Sequence, residues 1–505
     1  MALTTFKNTT AIAFSRVVSV LINILILPIY GKMMGYEAFG LISFYTTLQA
    51  SFVVLDFGLS ATLSRELAKE QNPTYKQNKI NLAYTIEVIY WVVGIVIGLS
   101  LFLCAPLIAK YWVNAQKISF DTLQQSIRIM AIILMFQWAH SIYNGGLTGM
   151  QKLVKLNIQT IFFNVLKNIG VIIAMWMLSP SVYVFLLWQL LITIVFTFVL
   201  RYSFWHELVP ERKQFSKTEL FTVGRFALGM TGIGLSTLLL GQIDKLLISK
   251  MMSLEQFGYY TLAFAAGSNV LIGISIFLPT FLPTLTNLIS KGDIDGVKQC
   301  YHNYSNIIAI IAIPTALLMA FYSKEILLIW THDPKLAEQS YLLVRFVALG
   351  YMINGLSYGY FNLMLAYGWT RYTIYQNILS SIISIPLMYY SVANFGITGG
   401  ASVCFILSIG AILIGLPYTH TKLLKHEFGN VLKNDFGVPL IISLLIISIS
   451  RIFFPVHSSY WVQLFLLGVI LSIALLLNVY ASSNLKNIVK STLQQLLKSP
   501  VGHAK

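Results

Sequence analysis

Charge is scarce in this chain: 10% of its 505 residues are Asp, Glu, Lys or Arg, against 57% hydrophobic. That much apolar surface exceeds what a water-soluble core of this length can bury, so a soluble globular protein is excluded. Cysteine is scarcer still. Cys104, Cys300 and Cys404 lie far apart, with no CxxC pair and no metal-ligand spacing, which argues against a disulfide scaffold, a redox pair and a zinc site. Long polar stretches are missing, since the longest connection between apolar runs is only about 20 residues, too short for a separate soluble domain. The short alternating segments of a transmembrane barrel are absent. Gly229-Met230-Thr231-Gly232-Ile233-Gly234 lies inside an apolar run with no strand before it, so it is not a nucleotide loop. The N-terminal apolar stretch exceeds a signal-peptide core and no A-x-A site follows it, so it reads as a retained span.

What is present is a succession of apolar runs of about 20 residues, each long enough to cross a bilayer as a helix. The chain is therefore expected to be an all-α polytopic membrane protein. About 14 spans are predicted, near residues 9–30, 38–60, 79–103, 123–144, 155–178, 181–202, 218–243, 256–280, 303–322, 341–363, 372–393, 398–418, 437–454 and 460–481. Loops on one side carry about 21 Lys and Arg and the alternate loops about 7, which predicts cytoplasmic N- and C-termini and an even number of spans. The net charge of +16 is spread over many short loops. That pattern fits anionic lipid headgroups rather than nucleic acid.

One stretch returns. Lys32-Met33-Met34-Gly35-Tyr36-Glu37-Ala38-Phe39-Gly40 is echoed by Lys250-Met251-Met252-Ser253-Leu254-Glu255-Gln256-Phe257-Gly258, each in a short turn between apolar runs. This indicates an internal duplication. At the same offset Arg128 lands beside Arg345. Two six-span lobes in the same orientation follow, 1–217 and 218–422, with an appended pair and tail in 423–505. Gly94/Gly98 and Gly355/Gly359 are GxxxG pairs suited to close helix packing.

The run LPIYGKMMGYEAFGLISFYTTLQ, with LDFGLSATLSREL after it, resembles the N-terminal signature of the Wzx-type polysaccharide (O-antigen) flippases of the MATE/lipid-flippase superfamily. Gln242-Ile243-Asp244-Lys245 followed by Phe257-Gly258-Tyr259-Tyr260 resembles their mid-chain signature. The segment from Leu278-Pro279 to Gly292-Asp293 resembles the one that follows it. The likeness covers the first ten spans, and the rest only by hydropathy. It implies a MATE-like fold with two lobes around a cavity that opens alternately to each side. It also implies the substrate: an oligosaccharide on undecaprenyl pyrophosphate, moved from the cytoplasmic to the periplasmic leaflet of the bacterial inner membrane. Membrane lipids, a polysaccharide polymerase and its chain-length factor are the implied partners, with no nucleic acid and no cofactor.

Such a head needs a wet, cationic passage, because neither sugar nor diphosphate crosses hydrocarbon. Six basic residues fall inside spans: Arg16, Arg128, Lys167, Arg225, Arg345 and Arg451. A charge at mid-bilayer costs about 3 kcal/mol or more, so each needs a reason. Arg16 lies roughly 10 Å into the first span, Arg225 at similar depth in the seventh, and Lys167 near the middle of the fifth. These three are the leading substrate-head candidates, with Arg128 and Arg345 behind them. Pairing of Arg16 with Asp56 is the structural alternative. Snorkelling to headgroups is the alternative for Arg128 and Arg345, and the reading of Arg451. Asp56, Glu87 and Asp244 are the coupling-ion candidates, for a proton or Na+, each with a structural reading beside it. Two rival functions remain: a MATE-type ion-coupled multidrug exporter, which calls for buried acids rather than bases, and a membrane polysaccharide polymerase.

Overall fold

A computed structural model of the chain describes residues 24–53, 56, 58–68, 73–209, 213–216, 241–275, 278–456 and 458–482. These residues are helical almost throughout, with no strand among them. In chain order they form α1 (Ile24–Met34), α2 (Tyr36–Val53), α3 (Leu59–Ala68), α4 (Pro73–Tyr111), α5 (Phe120–Trp138), α6 (His140–Gly149), α7 (Leu153–Met177) and α8 (Val182–Leu208). Then come α9 (241–251), α10 (Leu254–Ser268), α11 (Val270–Ser275), α12 (Leu278–Ser290), α13 (Ile294–Phe321), α14 (Ser323–Thr331), α15 (Pro334–Ala366) and α16 (Thr370–Lys422). A π-helical turn (Val431–Gly437) leads into α17 (Val438–Ile452), and α18 (Tyr460–Ala481) closes the described chain.

Nine helices among the described residues are long and apolar enough to cross a bilayer. The spans predicted at 79–103, 155–178, 181–202, 303–322, 341–363, 437–454 and 460–481 fall on α4, α7, α8, α13, α15, α17 and α18, the helices running up to nine residues past the predicted ends. Those at 372–393 and 398–418 are two helices within α16 that meet at a non-helical kink at Gly396, whose φ of 59° admits glycine readily. Other spans are broken. The run at 38–60 divides into α2 and α3 at Gly58, 123–144 divides at Ala139 into α5 and α6, and 256–280 becomes α10, α11 and the start of α12. The spans at 9–30 and 218–243 lie largely outside the described residues, and with them part of the span count.

The chain forms two compact units, Met1–Leu262 and Ala263–Lys505. Lipid is as apolar as leucine, so tight packing rather than escape from water must join these helices. In the first unit the Gly94/Gly98 pair lets α4 close on α5. A β-carbon added at Gly98 would lie 2.8 Å from Met135 Cβ and 3.2 Å from the Ala131 carbonyl. Ile86, Tyr90, Ile142, Tyr143 and Phe204 are buried in the core beside this seam. In the second unit α13 is central, with Ile308, Ala309, Ala312, Ile313 and Ala316 buried along its length. Gly355 and Gly359 again mark a close approach: an added β-carbon would stand 2.6 Å from Ile274 Cδ1 and 2.8 Å from Ser305 Oγ, respectively. Exposed apolar side chains fill the outer faces of α16 and α18, among them Ile382, Tyr389, Trp461 and Phe465. Such faces suit lipid contact, since the helical backbone satisfies itself.

Candidate functional site: the polar interior and its charges

The two copies of the Lys-Met-Met turn meet in the first unit. Gly35 ends α1 with φ 84°, and Glu37 sits in the first turn of α2. Gly40 and Gly258, related by the duplication, each abut the other copy. A β-carbon on Gly40 would fall 1.9 Å from the Leu254 carbonyl oxygen, and one on Gly258 2.6 Å from that of Tyr36. Leu254 and Tyr36 are themselves related by the same offset, so the contact is reciprocal. Thr261 donates to Ser43 Oγ at 2.7 Å, another related pair. The two glutamates act differently. Glu37 is buried and accepts the amide hydrogens of Gln116, Lys117 and Ile118 at 2.6, 2.8 and 3.2 Å. Glu255 instead pairs with the Lys117 ammonium at 2.8 Å.

The two signature segments fold as local devices. Asp56 accepts from Ser60 Oγ at 2.7 Å and from the Tyr90 hydroxyl, while Gly58, at φ 65°, turns the chain into α3. Arg65 pairs with Glu66 at 2.6 Å. In the mid-chain signature, Tyr260 donates to buried Asp244 at 2.7 Å, so two motif residues 16 apart touch and tie α9 to α10.

Among the in-span bases, Arg16 and Arg225 lie outside the described residues. Lys167 is half-buried on α7 and has no carboxylate partner among the described residues. It shares a face with Asn164, three residues before it. Asn168 donates to Asn164 Oδ1 at 2.7 Å and its carbonyl accepts the Tyr30 hydroxyl at 3.1 Å. From α8, buried Gln189 donates to the Lys167 carbonyl at 3.4 Å. Nearby, His140 and Thr197 bond at 2.8 Å. An ammonium with no carboxylate to neutralise it among the described residues can take an anion as its counter-charge.

Arg128 and Arg345 have aromatic neighbours. Each lies over an aromatic ring, Phe102 at 5.2 Å and Tyr341 at 4.9 Å, and Arg345 also donates to Ser323 Oγ at 3.1 Å. Arg451 pairs with Glu325 at 2.7 Å, beneath the Tyr322 ring. Glu87 is 2% exposed, and three donors hold its carboxylate: Tyr143 at 2.7 Å, Arg201 Nε at 2.8 Å and Trp205 Nε1 at 3.1 Å. Arg201 belongs to α8 rather than to a loop. It also lines a cavity of about 430 Å³ with Phe198, Tyr202, Trp205, His206 and Lys213, whose ammonium sits 3.6 Å over the Trp205 ring. Depth marked only one of this pair: Glu87 lies about two turns into its predicted span, whereas Arg201 stands at the edge of the span predicted at 181–202 and is inside the helix only because α8 runs on to Leu208. Among the described residues no three His, Cys, Asp or Glu side chains gather as metal ligands.

An all-helical membrane chain with a recurring turn and with charged and polar side chains buried among its described helices has the features of a transporter. The fold is that of the MOP superfamily. The lipid II flippase MurJ in an inward closed conformation superposes with a TM-score of 0.71, at 14% identity, over 94% of this chain and 98% of that one. An inward-facing multidrug resistance MATE transporter of the MOP superfamily gives 0.66 at 12% identity, over 82% of this chain and 96% of that one. The chain belongs to the polysaccharide biosynthesis protein family, whose pattern it matches over residues 5–289. A MatE match covers residues 235–390. The protein named "Putative O-antigen transporter" in Shigella flexneri is 21% identical over 422 residues, 82% of this chain and 97% of that protein. Its relatives are transporters, and this chain is a multi-pass membrane transporter or flippase rather than an enzyme.

Proposed function

We propose that this protein carries an undecaprenyl-pyrophosphate-linked oligosaccharide from the cytoplasmic to the periplasmic leaflet of the inner membrane by alternating access, for O-antigen or capsule assembly. Both termini are cytoplasmic in this reading, the lobes are 1–217 and 218–422, and 423–505 is appended. A polysaccharide polymerase and chain-length factor take the product onward. The observation that carries the proposal is Lys167: a half-buried ammonium with no carboxylate partner among the described residues, on a span that also carries Asn164 and Asn168. Arg16 and Arg225 complete the cationic passage at the depth their spans give them. Arg128 and Arg345 have secondary roles as substrate contacts. Asp56 and Asp244 are coupling candidates for a proton or Na+. Glu87 is a weaker one, because donors surround its carboxylate.

The test replaces Arg16, Lys167 and Arg225 singly with Gln and measures surface polysaccharide at matched protein levels. Export is expected to fall at least tenfold in the Lys167→Gln variant, and lipid-linked units to build up in the inner leaflet. Full export in all three variants removes the site assignment. The MatE match supports a second reading, an ion-coupled multidrug exporter. Drug efflux from vesicles without translocation of lipid-linked sugar would select it.

A further inference from the structure

The second unit holds a small polar cavity that none of the preceding roles uses. It measures about 150 Å³ and is lined by Asn306, Asn434, Asp435, Val438, Pro439, Asn478, Ala481 and Ser482, drawn from α13, the π-helical turn, α17 and the end of α18. Three of these groups are more than nine-tenths buried: Asn306 at 7% exposure, Asp435 at 5% and Asn478 at 1%. Among the described residues, the amide oxygens of Asn306 and Asn478 have no hydrogen-bond partner. For Asn478 the assignment is secure, because its Nδ2 donates to the Ala474 carbonyl at 2.8 Å and to Ser443 Oγ at 2.9 Å, which leaves the oxygen as the free end. Asp435 bonds His302 Nδ1 through Oδ2 at 2.6 Å, and its second oxygen lies outside that contact.

A buried carbonyl without a donor costs about 1–3 kcal/mol, and two beside one carboxylate in a single cavity call for a common occupant. The three buried groups present acceptor oxygens. The local backbone adds to this bias: Pro439 has no N–H to return to the preceding π-helical turn, and π-turns recur at functional sites. The cavity is roughly five times the volume of one water, about 30 Å³, room for an ion that keeps part of its hydration shell. One carboxylate already shared with a histidine, plus two neutral oxygens, matches a single positive charge better than a double one. Divalent oxygen sites use more ligands and more carboxylates.

We propose that this cavity binds a monovalent cation of the sodium class through Asp435, Asn306 and Asn478. The ion would join α13 to the π-turn and to α18, fastening the appended helices within this unit. Binding can be read on the purified full-length chain in nanodiscs, independently of what the chain transports, by uptake of radioactive Na+ and displacement with unlabelled salts. Displacement by NaCl but not by choline chloride is expected, with affinity at least tenfold weaker in Asp435→Asn and in Asn306→Ala. The unfolding temperature of Asn306→Ala in choline chloride should equal that of the unsubstituted chain, because its oxygen has no partner to lose there. In NaCl it should fall below it. If Asp435→Asn fails to fold, Asn306→Ala carries the test alone. Absence of Na+-specific binding in the unsubstituted chain, or unchanged affinity in Asn306→Ala, overturns the proposal and leaves a cavity filled by water.

Discussion

The two copies of the Lys-Met-Met turn share their glutamate, phenylalanine and glycine but not their work. Glu37 is buried and holds three consecutive amide hydrogens, whereas Glu255 holds the ammonium of Lys117, a 70%-exposed side chain. The loop at 112–119 supplies both sets of partners, and it has no like-shaped counterpart. The stretch one repeat later, 330–337, is the end of α14 and the start of α15. Duplication therefore preserved a contact between backbones, at Gly40 and Gly258, while the surrounding loops gave the two carboxylates different partners. A closed concave row of N–H groups is a far better anion host than one solvated lysine.

The glycines should give the largest effects. Gly40→Ala forces a β-carbon against a backbone oxygen, which cannot swing aside as a side chain can, and should cost about 3 kcal/mol. Gly258→Ala, with more room, should cost clearly less. Unfolding temperatures of the purified variants check the order, and equal losses would show the contact to be symmetric in tolerance. Next, Glu37→Gln should cost about 2 kcal/mol, because a buried carboxylate loses charge-assisted bonds. Glu255→Gln should leave stability at pH 7 nearly unchanged. Equal penalties would mean that the two sites are alike after all.

A double-mutant cycle on Ser43→Ala and Thr261→Val should then give a coupling of about 0.5–1.5 kcal/mol for the hydrogen bond between related positions. The smallest effect concerns pH. The hydrogen bond to Glu255 holds the Lys117 ammonium above the usual lysine range. A raised folded-state pKa adds stability that is complete below the ordinary value and is lost as pH rises through the folded one. The small gap between the unsubstituted chain and Glu255→Gln should therefore close at strongly alkaline pH, and also in high salt. Thermal scans across pH 8 to 12 measure it.

Several features were legible in residue order. The apolar runs that became α4, α7, α8, α13 and α15 could be drawn from hydropathy alone. Gly94 and Gly98 announced a close seam, and α5 fills it. Asp244 and Tyr260 stood out as motif residues, and they touch. Other features were not legible. Glu87 is held from positions 56, 114 and 118 residues away, and no spacing rule reaches that far. Arg451 and Glu325 meet across 126 residues. Asn306 and Asn478 read as ordinary intramembrane polar residues until the helices carrying them lay beside the same cavity.

Residue order alone determined that this chain lives in a membrane, that its helices are many and apolar, and that one short turn recurs in it. These follow from composition and period, which act locally and need no partner. Tertiary structure decided which charges neutralise one another and which remain unpaired, because pairing depends on where distant helices come to rest. Lys167 without a carboxylate, Glu87 surrounded by donors and two buried amide oxygens without partners are outcomes of that arrangement.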